Sequence, residues 1–409
     1  MARQIRSPRP VVLILGASIV SGLTGYVVTA LVAARLGPAG YATFAVFWST
    51  LYVVVGAFGG VQQEVTRATS GEHSRNSPDR PARILVFAVV LAIAMLALIA
   101  GTGPLWYGIV FTSAGTFLTL PLAVGASAYI LVACLAGVLY GVRLWYPLAA
   151  LIVLDGVLRL IGVVVVLSFT HDPVPIAWAV ALPFPAAVLV VAPIVARHVG
   201  RASPDLGYRA LSWNVARTIV AATATAGLIS GFPFLLRVTS PGVSGAVIGP
   251  IILALTLTRA PIVIPLLALQ SYLIVDLGGR GQRVARRALA IQGLVLAASI
   301  ILAAIAALIG PSILGGLFGR AFAVGPLLVF GLVASSGLVA AMCVSGSAAL
   351  ALSRHGVYVG GWILALLVTI AVLLLPVSVE TRVVLALALG PASGLLFHQL
   401  ALRGVGRSG

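Results

Sequence analysis

Between Arg83 and Thr102 the chain reads Ile84-Leu85-Val86-Phe87-Ala88-Val89-Val90-Leu91-Ala92-Ile93-Ala94-Met95-Leu96-Ala97-Leu98-Ile99-Ala100-Gly101, a run of eighteen residues without a charged side chain. As a helix rising about 1.5 Å per residue it covers ~27 Å, close to the roughly 30 Å hydrocarbon core of a bilayer. A lipid-facing strand would alternate apolar and polar positions, and this run is continuously apolar. Runs of the same kind recur along the whole chain, which is 61% hydrophobic and 8% charged, a balance that leaves too little polar surface to face water. The fold class expected is therefore an all-α polytopic membrane protein with about twelve transmembrane helices, in two parallel six-helix bundles around a central cleft.

The expected spans are Val11 to Ala34, Tyr41 to Val61, Ile84 to Gly101, Leu118 to Tyr140, Pro147 to Phe169 and Pro175 to Ala196, then Ile219 to Leu236, Val247 to Val275, Leu289 to Ile309, Pro326 to Leu352, Val357 to Pro376 and Val383 to Leu402. The first run is too long for a cleaved signal segment and reads as an uncleaved first span. With these boundaries nineteen arginines fall on the side of the two termini and only Arg35, Arg237, Arg320 and Arg382 on the other. Basic loops stay in the cytoplasm, so both termini are expected there, in a cell inner (plasma) membrane. The polar connection from 197 to 217 divides the chain into an N-terminal lobe, 1–205, and a C-terminal lobe, 206–409. Gly103-Pro104 and Gly310-Pro311, each expected to open an outer loop, Cys134 and Cys343, and Arg143 and Arg354 recur at offsets near 210, the mark of an internal repeat.

The formal charge of +17 comes entirely from arginine and serves orientation and contact with anionic membrane lipids, not nucleic acid. The chain has no phosphate-binding GxxxxGK[ST] loop, no His/Cys cluster spaced for a metal and no hydrolase serine motif. No cofactor, metal or enzymatic activity is expected. The two cysteines lie inside spans and point to no disulfide.

Ionisable side chains at membrane depth are costly and mark sites. Arg159 lies about 18 Å into the fifth span by helical rise, with Asp155 one turn earlier on the same face. Arg259 lies at similar depth in the eighth. Facing a wet cleft, the two arginines would suit a phosphate or pyrophosphate, which the planar guanidinium fork grips well. Two other readings stand beside this one: Asp155 and Arg159 form an internal ion pair, or Asp155 carries a coupling proton or cation. Gln62, Gln63, Glu64 and Arg67 form a polar cluster at the inner end of the second span, a solvated helix end or, with Glu64 and Arg67, an inner gate. Pro121, Pro183, Pro185, Pro261 and Pro265 are expected to kink or loosen their helices.

Ala34-Arg35-Leu36-Gly37-Pro38-Ala39-Gly40-Tyr41-Ala42-Thr43-Phe44, continuing through Gly59-Gly60-Val61 to Val65-Thr66-Arg67, resembles the opening of polysaccharide-export flippases, the O-antigen/teichoic-type branch of the multidrug/oligosaccharidyl-lipid/polysaccharide exporter superfamily. Gly137 to Arg143 followed by Leu158-Arg159, and Leu314 to Gly319, resemble further patches of that family. The resemblance implies alternating access and a lipid-linked saccharide as cargo, a polyprenyl-diphosphate-linked oligosaccharide moved to the outer leaflet for surface polysaccharide biosynthesis. Partners implied are a polysaccharide polymerase or glycosyltransferases. Members that flip the peptidoglycan precursor carry a cavity arginine in the eighth helix, matched by Arg259; they also carry charges in the first helix, and Val11 to Ala34 has none. Two other functions remain open: a cation-coupled multidrug exporter, and a non-transporting scaffold, for which Arg259 would pack outward or against backbone carbonyls.

Overall fold

A computed structural model describes residues 9–70, 83–111, 115–199, 207–278 and 284–403. Arg3, Arg6, Arg75, Arg80, Arg201, Arg280, Arg283 and Arg407 of the orienting set lie outside the described residues. Among the described residues the regular structure is helical throughout, without strands. Ten of the twelve expected spans fall in one helix to within three residues, and the sixth and seventh are each divided between two. Among the described residues nine helices are individually long and apolar enough to cross a bilayer, and a bent pair makes a tenth. The first of the nine holds two expected spans, and Gly245–Gly278 holds one more.

The chain forms two compact units: residues 1–35 with 46–226, and residues 36–45 with 227–409. The first unit is built from α1 (Arg9–Thr69), α2 (Ile84–Val110), α3 (Gly115–Gly141), α4 (Trp145–Leu167), α5 (Pro173–Ala181), α6 (Pro183–Val199) and most of α7 (Tyr208–Ile229). In the second are α8 (Phe232–Val238), α9 (Gly245–Gly278), α10 (Val284–Phe318), α11 (Pro326–Ala351), α12 (His355–Leu373) and α13 (Val379–Arg403). The unit boundary thus lies beyond the one expected at 205/206. The reason is local: Gly60 lets the backbone of Thr218 approach so closely that a Cβ would sit 2.7 Å from the Thr218 carbonyl carbon, and Thr218 Oγ1 donates to the Gly60 carbonyl at 3.1 Å. Gly56 meets Ala226 in the same way, so α7 is docked on α1.

Four expected boundaries differ from the observed ones. Residues 35–40, expected as an outer loop, instead form a kink within α1 at Gly37, whose φ of 68° and ψ of 178° only glycine adopts without strain. The helix restarts through Pro38, whose missing N–H is no loss in a first turn. Gly103-Pro104 and Gly310-Pro311 lie inside α2 and α10, which run on to Val110 and Phe318. The sixth span breaks at Leu182 into α5 and α6, while α3 continues through Pro121.

Helices in lipid gain nothing from burying apolar surface against one another, so close packing at small residues decides which faces meet. In the first unit Gly137 of α3 packs on Val65 and the Gln62 carbonyl of α1. In the second, Gly337 of α11 packs on Ser299 of α10, and Gly394 of α13 on Met342 and the Gly361 carbonyl. The central helices are α3 and α11, whereas α2 and α10 turn Leu85, Val90 and Ile93, and Leu294, Ile301 and Leu308, outward to lipid.

Candidate functional site

Asp155 and Arg159, four residues apart on α4, meet as the helical spacing dictates. Arg159 Nη2 donates to both carboxylate oxygens, at 2.5 and 2.6 Å. The pair is unequally covered, with side-chain exposures of 3% for Arg159 and 17% for Asp155. Three rings from two other helices enclose the guanidinium: its carbon lies 5.6 Å from the ring centroids of both Trp48 and Tyr52 of α1, and 5.1 Å from that of Phe184 of α6. Cation–π contacts of this kind contribute about 0.5–2 kcal/mol each as the site is desolvated. Trp48 and Tyr52, again four residues apart, stack with centroids 4.8 Å apart and planes within 9°. Tyr129 of α3 meets Phe184 edge-on at 5.2 Å. Gly156 lets α1 close on α4: a Cβ there would meet Ser21 Oγ at 2.9 Å and Thr24 Oγ1 at 2.8 Å. A cation this deep would cost several kcal/mol unpaired; the carboxylate and the rings replace its water.

Glu64 is not a solvated helix end. It is 5% exposed and accepts from Arg67 Nη2 at 2.7 Å and from Asn214 Nδ2 of α7 at 2.9 Å. Arg67 itself remains half exposed. The cluster ties the C-terminal end of α1 to α7, a contact across 150 residues that the spacing of Glu64 and Arg67 does not announce.

Arg259 belongs to the second unit. Its Nη1 donates to the carbonyls of Leu228 and Ile229, both at 3.0 Å, at the end of α7. There the span bends by 79° into α8. The last carbonyls of a helix have no intrahelical partners, and a buried guanidinium at the break supplies donors and positive charge. Arg382 does similar work at the other end of α8, donating to the Thr239 carbonyl at 3.4 Å, to Ser240 Oγ at 2.9 Å and to the Leu373 carbonyl at 3.2 Å.

Sequence reasoning did not find Trp48, Tyr52, Phe184 or Asn214, nor a buried set in the second unit. There His398 Nδ1 meets Ser345 Oγ at 2.8 Å, its Nε2 faces the Tyr358 carbonyl at 3.2 Å, and Gln399 donates to Gln292. The four-residue spacing of Trp48 and Tyr52 was the one available signal. Among the described residues no group of three or more His, Cys, Asp or Glu side chains is placed to hold a metal.

This architecture is the fold of transporters of the MOP superfamily. An inward-facing multidrug-resistance MATE transporter of that superfamily superposes with a TM-score of 0.73 over 97% of this chain and 99% of its own, at 13% identity. The lipid II flippase MurJ, in an inward closed conformation, gives 0.74 over 96% and 87% at 10% identity. No family model matches the sequence. The chain belongs to the family of the uncharacterized Mycobacterium tuberculosis proteins Rv3630 and Rv1510: it is 33% identical to the first over 94% of this chain and 90% of that protein, and 35% identical to the second over 92% and 88%.

Proposed function

We propose that the protein is a plasma-membrane flippase that carries a polyprenyl-diphosphate-linked saccharide to the outer leaflet by alternating access, both termini lying in the cytoplasm. The observation that carries this reading is the stacked Trp48–Tyr52 pair beside Asp155 and Arg159 in the membrane-spanning part of the first unit. Aromatic faces pack against the C–H surface of a pyranose, a carboxylate accepts from sugar hydroxyls, and a guanidinium pairs with phosphate oxygens. The fold shared with MATE transporters and MurJ supports transport as the activity. Arg159 holds the headgroup, and Arg259 supports the bend between α7 and α8. The lipid tail remains in the bilayer, and polymerases or glycosyltransferases of surface polysaccharide synthesis supply and consume the cargo.

A second reading, a membrane scaffold that transports nothing, is favoured by the placement of Arg259 on the carbonyls of Leu228 and Ile229. One assay separates the two. Full-length protein in proteoliposomes is given a fluorescent polyprenyl-diphosphate saccharide, and its arrival in the opposite leaflet is followed by dithionite quenching. Flipping by the wild type that is lost in Arg159→Gln supports the flippase. A folded wild type that flips no headgroup supports the scaffold.

A further inference from the structure

We infer that Asp155 is an internal stand-in for an external oxyanion: the Arg159 cage is a phosphate-type anion site, and its ligand displaces the carboxylate. This rests on the transport reading and supplies its coupling step. Of the guanidinium's nitrogens, Nη2 alone serves Asp155, and Nε is buried without a hydrogen bond among the described residues. The carboxylate therefore engages the fork through one nitrogen where a phosphate would take two. The rings of Trp48, Tyr52 and Phe184 hold the guanidinium through its charge, and Tyr52 adds a side-chain hydrogen bond to it, while Nε stays without one. The more exposed member of the pair is the carboxylate, at 17% against 3%, so Asp155 is the more accessible of the two to a proton.

The exchange replaces the one negative charge of Asp155 with one negative charge of the anion. One proton from solution neutralises Asp155, the ion pair opens, and the oxyanion takes the vacated Nη2 together with Nε. Other titratable groups facing Asp155 among the described residues are Tyr52 of α1 and Tyr129 of α3, both neutral when protonated; Phe184 of α6 brings no charge. Release of the anion returns the proton. Anion binding is thus linked to uptake of one proton and strengthens about tenfold for each unit of falling pH while free Asp155 is ionised.

The test is calorimetry on the full chain in nanodiscs, with inorganic pyrophosphate as one probe and a polyprenyl diphosphate in the disc as the other. The wild type should bind with the tenfold-per-unit pH dependence and take up one proton in buffers of different ionisation enthalpy. Asp155→Asn should bind at least tenfold tighter at neutral pH without pH dependence, and Arg159→Gln should bind neither probe. Binding of pyrophosphate marks a site for the free anion; binding of the lipid probe alone marks a headgroup site. Wild-type binding without proton uptake, or no binding of either probe, overturns the inference, and because the wild type suffices for that result a poorly folded variant does not rescue it. Binding with linked proton uptake but no flipping leaves the anion site standing and overturns the flippase. Flipping with no such linkage does the reverse.

Discussion

Arg143 and Ser353, 210 residues apart, adopt the same left-handed backbone, with φ of 61° and 59°. Each closes the same turn. In the first unit the Leu144 N–H reaches back to the Leu139 carbonyl at 2.8 Å, and in the second the Arg354 N–H reaches the Ala349 carbonyl at 2.8 Å. This six-to-one bond terminates α3 before α4 and α11 before α12, the C-terminal closure that usually places glycine at the left-handed position. Two helix pairs thus end alike without sharing the residue that ends them, and the repeat is a property of backbone geometry more than of sequence identity.

A non-glycine residue in this conformation costs about 1–2 kcal/mol. Ser353→Gly should therefore raise thermal stability in detergent by up to ~1 kcal/mol, and Ser353→Val should lower it by a similar amount or more. Arg143→Gly should behave as Ser353→Gly does. Unchanged melting in all three variants would mean that the turn is not under strain.

Glu64 is buried and Arg67 half exposed, so the two halves of their ion pair should differ in worth. Arg67→Ala should cost no more than about 1 kcal/mol. Glu64→Ala removes an acceptor shared with Asn214 and should cost about 1–3 kcal/mol. A double-mutant cycle of Glu64→Gln with Asn214→Ala, read by unfolding, should show coupling above ~0.5 kcal/mol; additivity would show that α7 is held by its glycine contacts alone.

Arg259→Ala strips the donor from the carbonyls of Leu228 and Ile229 at the α7–α8 bend. The expected loss is about 1–3 kcal/mol of stability, with Arg259→Lys recovering part of it. Flipping per folded molecule should stay within assay error of the wild type. A selective loss of flipping in a variant of unchanged stability would instead make Arg259 a ligand of the cargo, the role that resemblance to the eighth helix of the flippases implies.

At Gly156, one residue from Asp155, the backbone of α4 meets Ser21 and Thr24 of α1. Gly156→Ala should force the helices apart at a cost of about 1–3 kcal/mol and shift Asp155 against the Trp48–Tyr52 stack. The change should appear in tryptophan fluorescence, with Trp48→Phe as the control. An unaltered spectrum and melting curve would show that α1 gives way freely.

Much was legible in the chain itself. Lipid as the solvent, helix as the secondary structure, the number of spans and the pairing of Asp155 with Arg159 all follow from run length, charge content and four-residue spacing, quantities local to the chain. Which way each helix turns was not legible, because a helix apolar on all sides carries no stripe to fix its rotation. The rings of Trp48, Tyr52 and Phe184 therefore meet Arg159 only once α1 and α6 pack on α4. The carbonyls that receive Arg259 exist as free acceptors only because α7 breaks 30 residues upstream of it, and Glu64 finds Asn214 only across the whole first unit. Composition determined that this is a helical membrane protein; tertiary packing decided what surrounds each of its few buried charges, since every partner beyond a single turn comes from another helix.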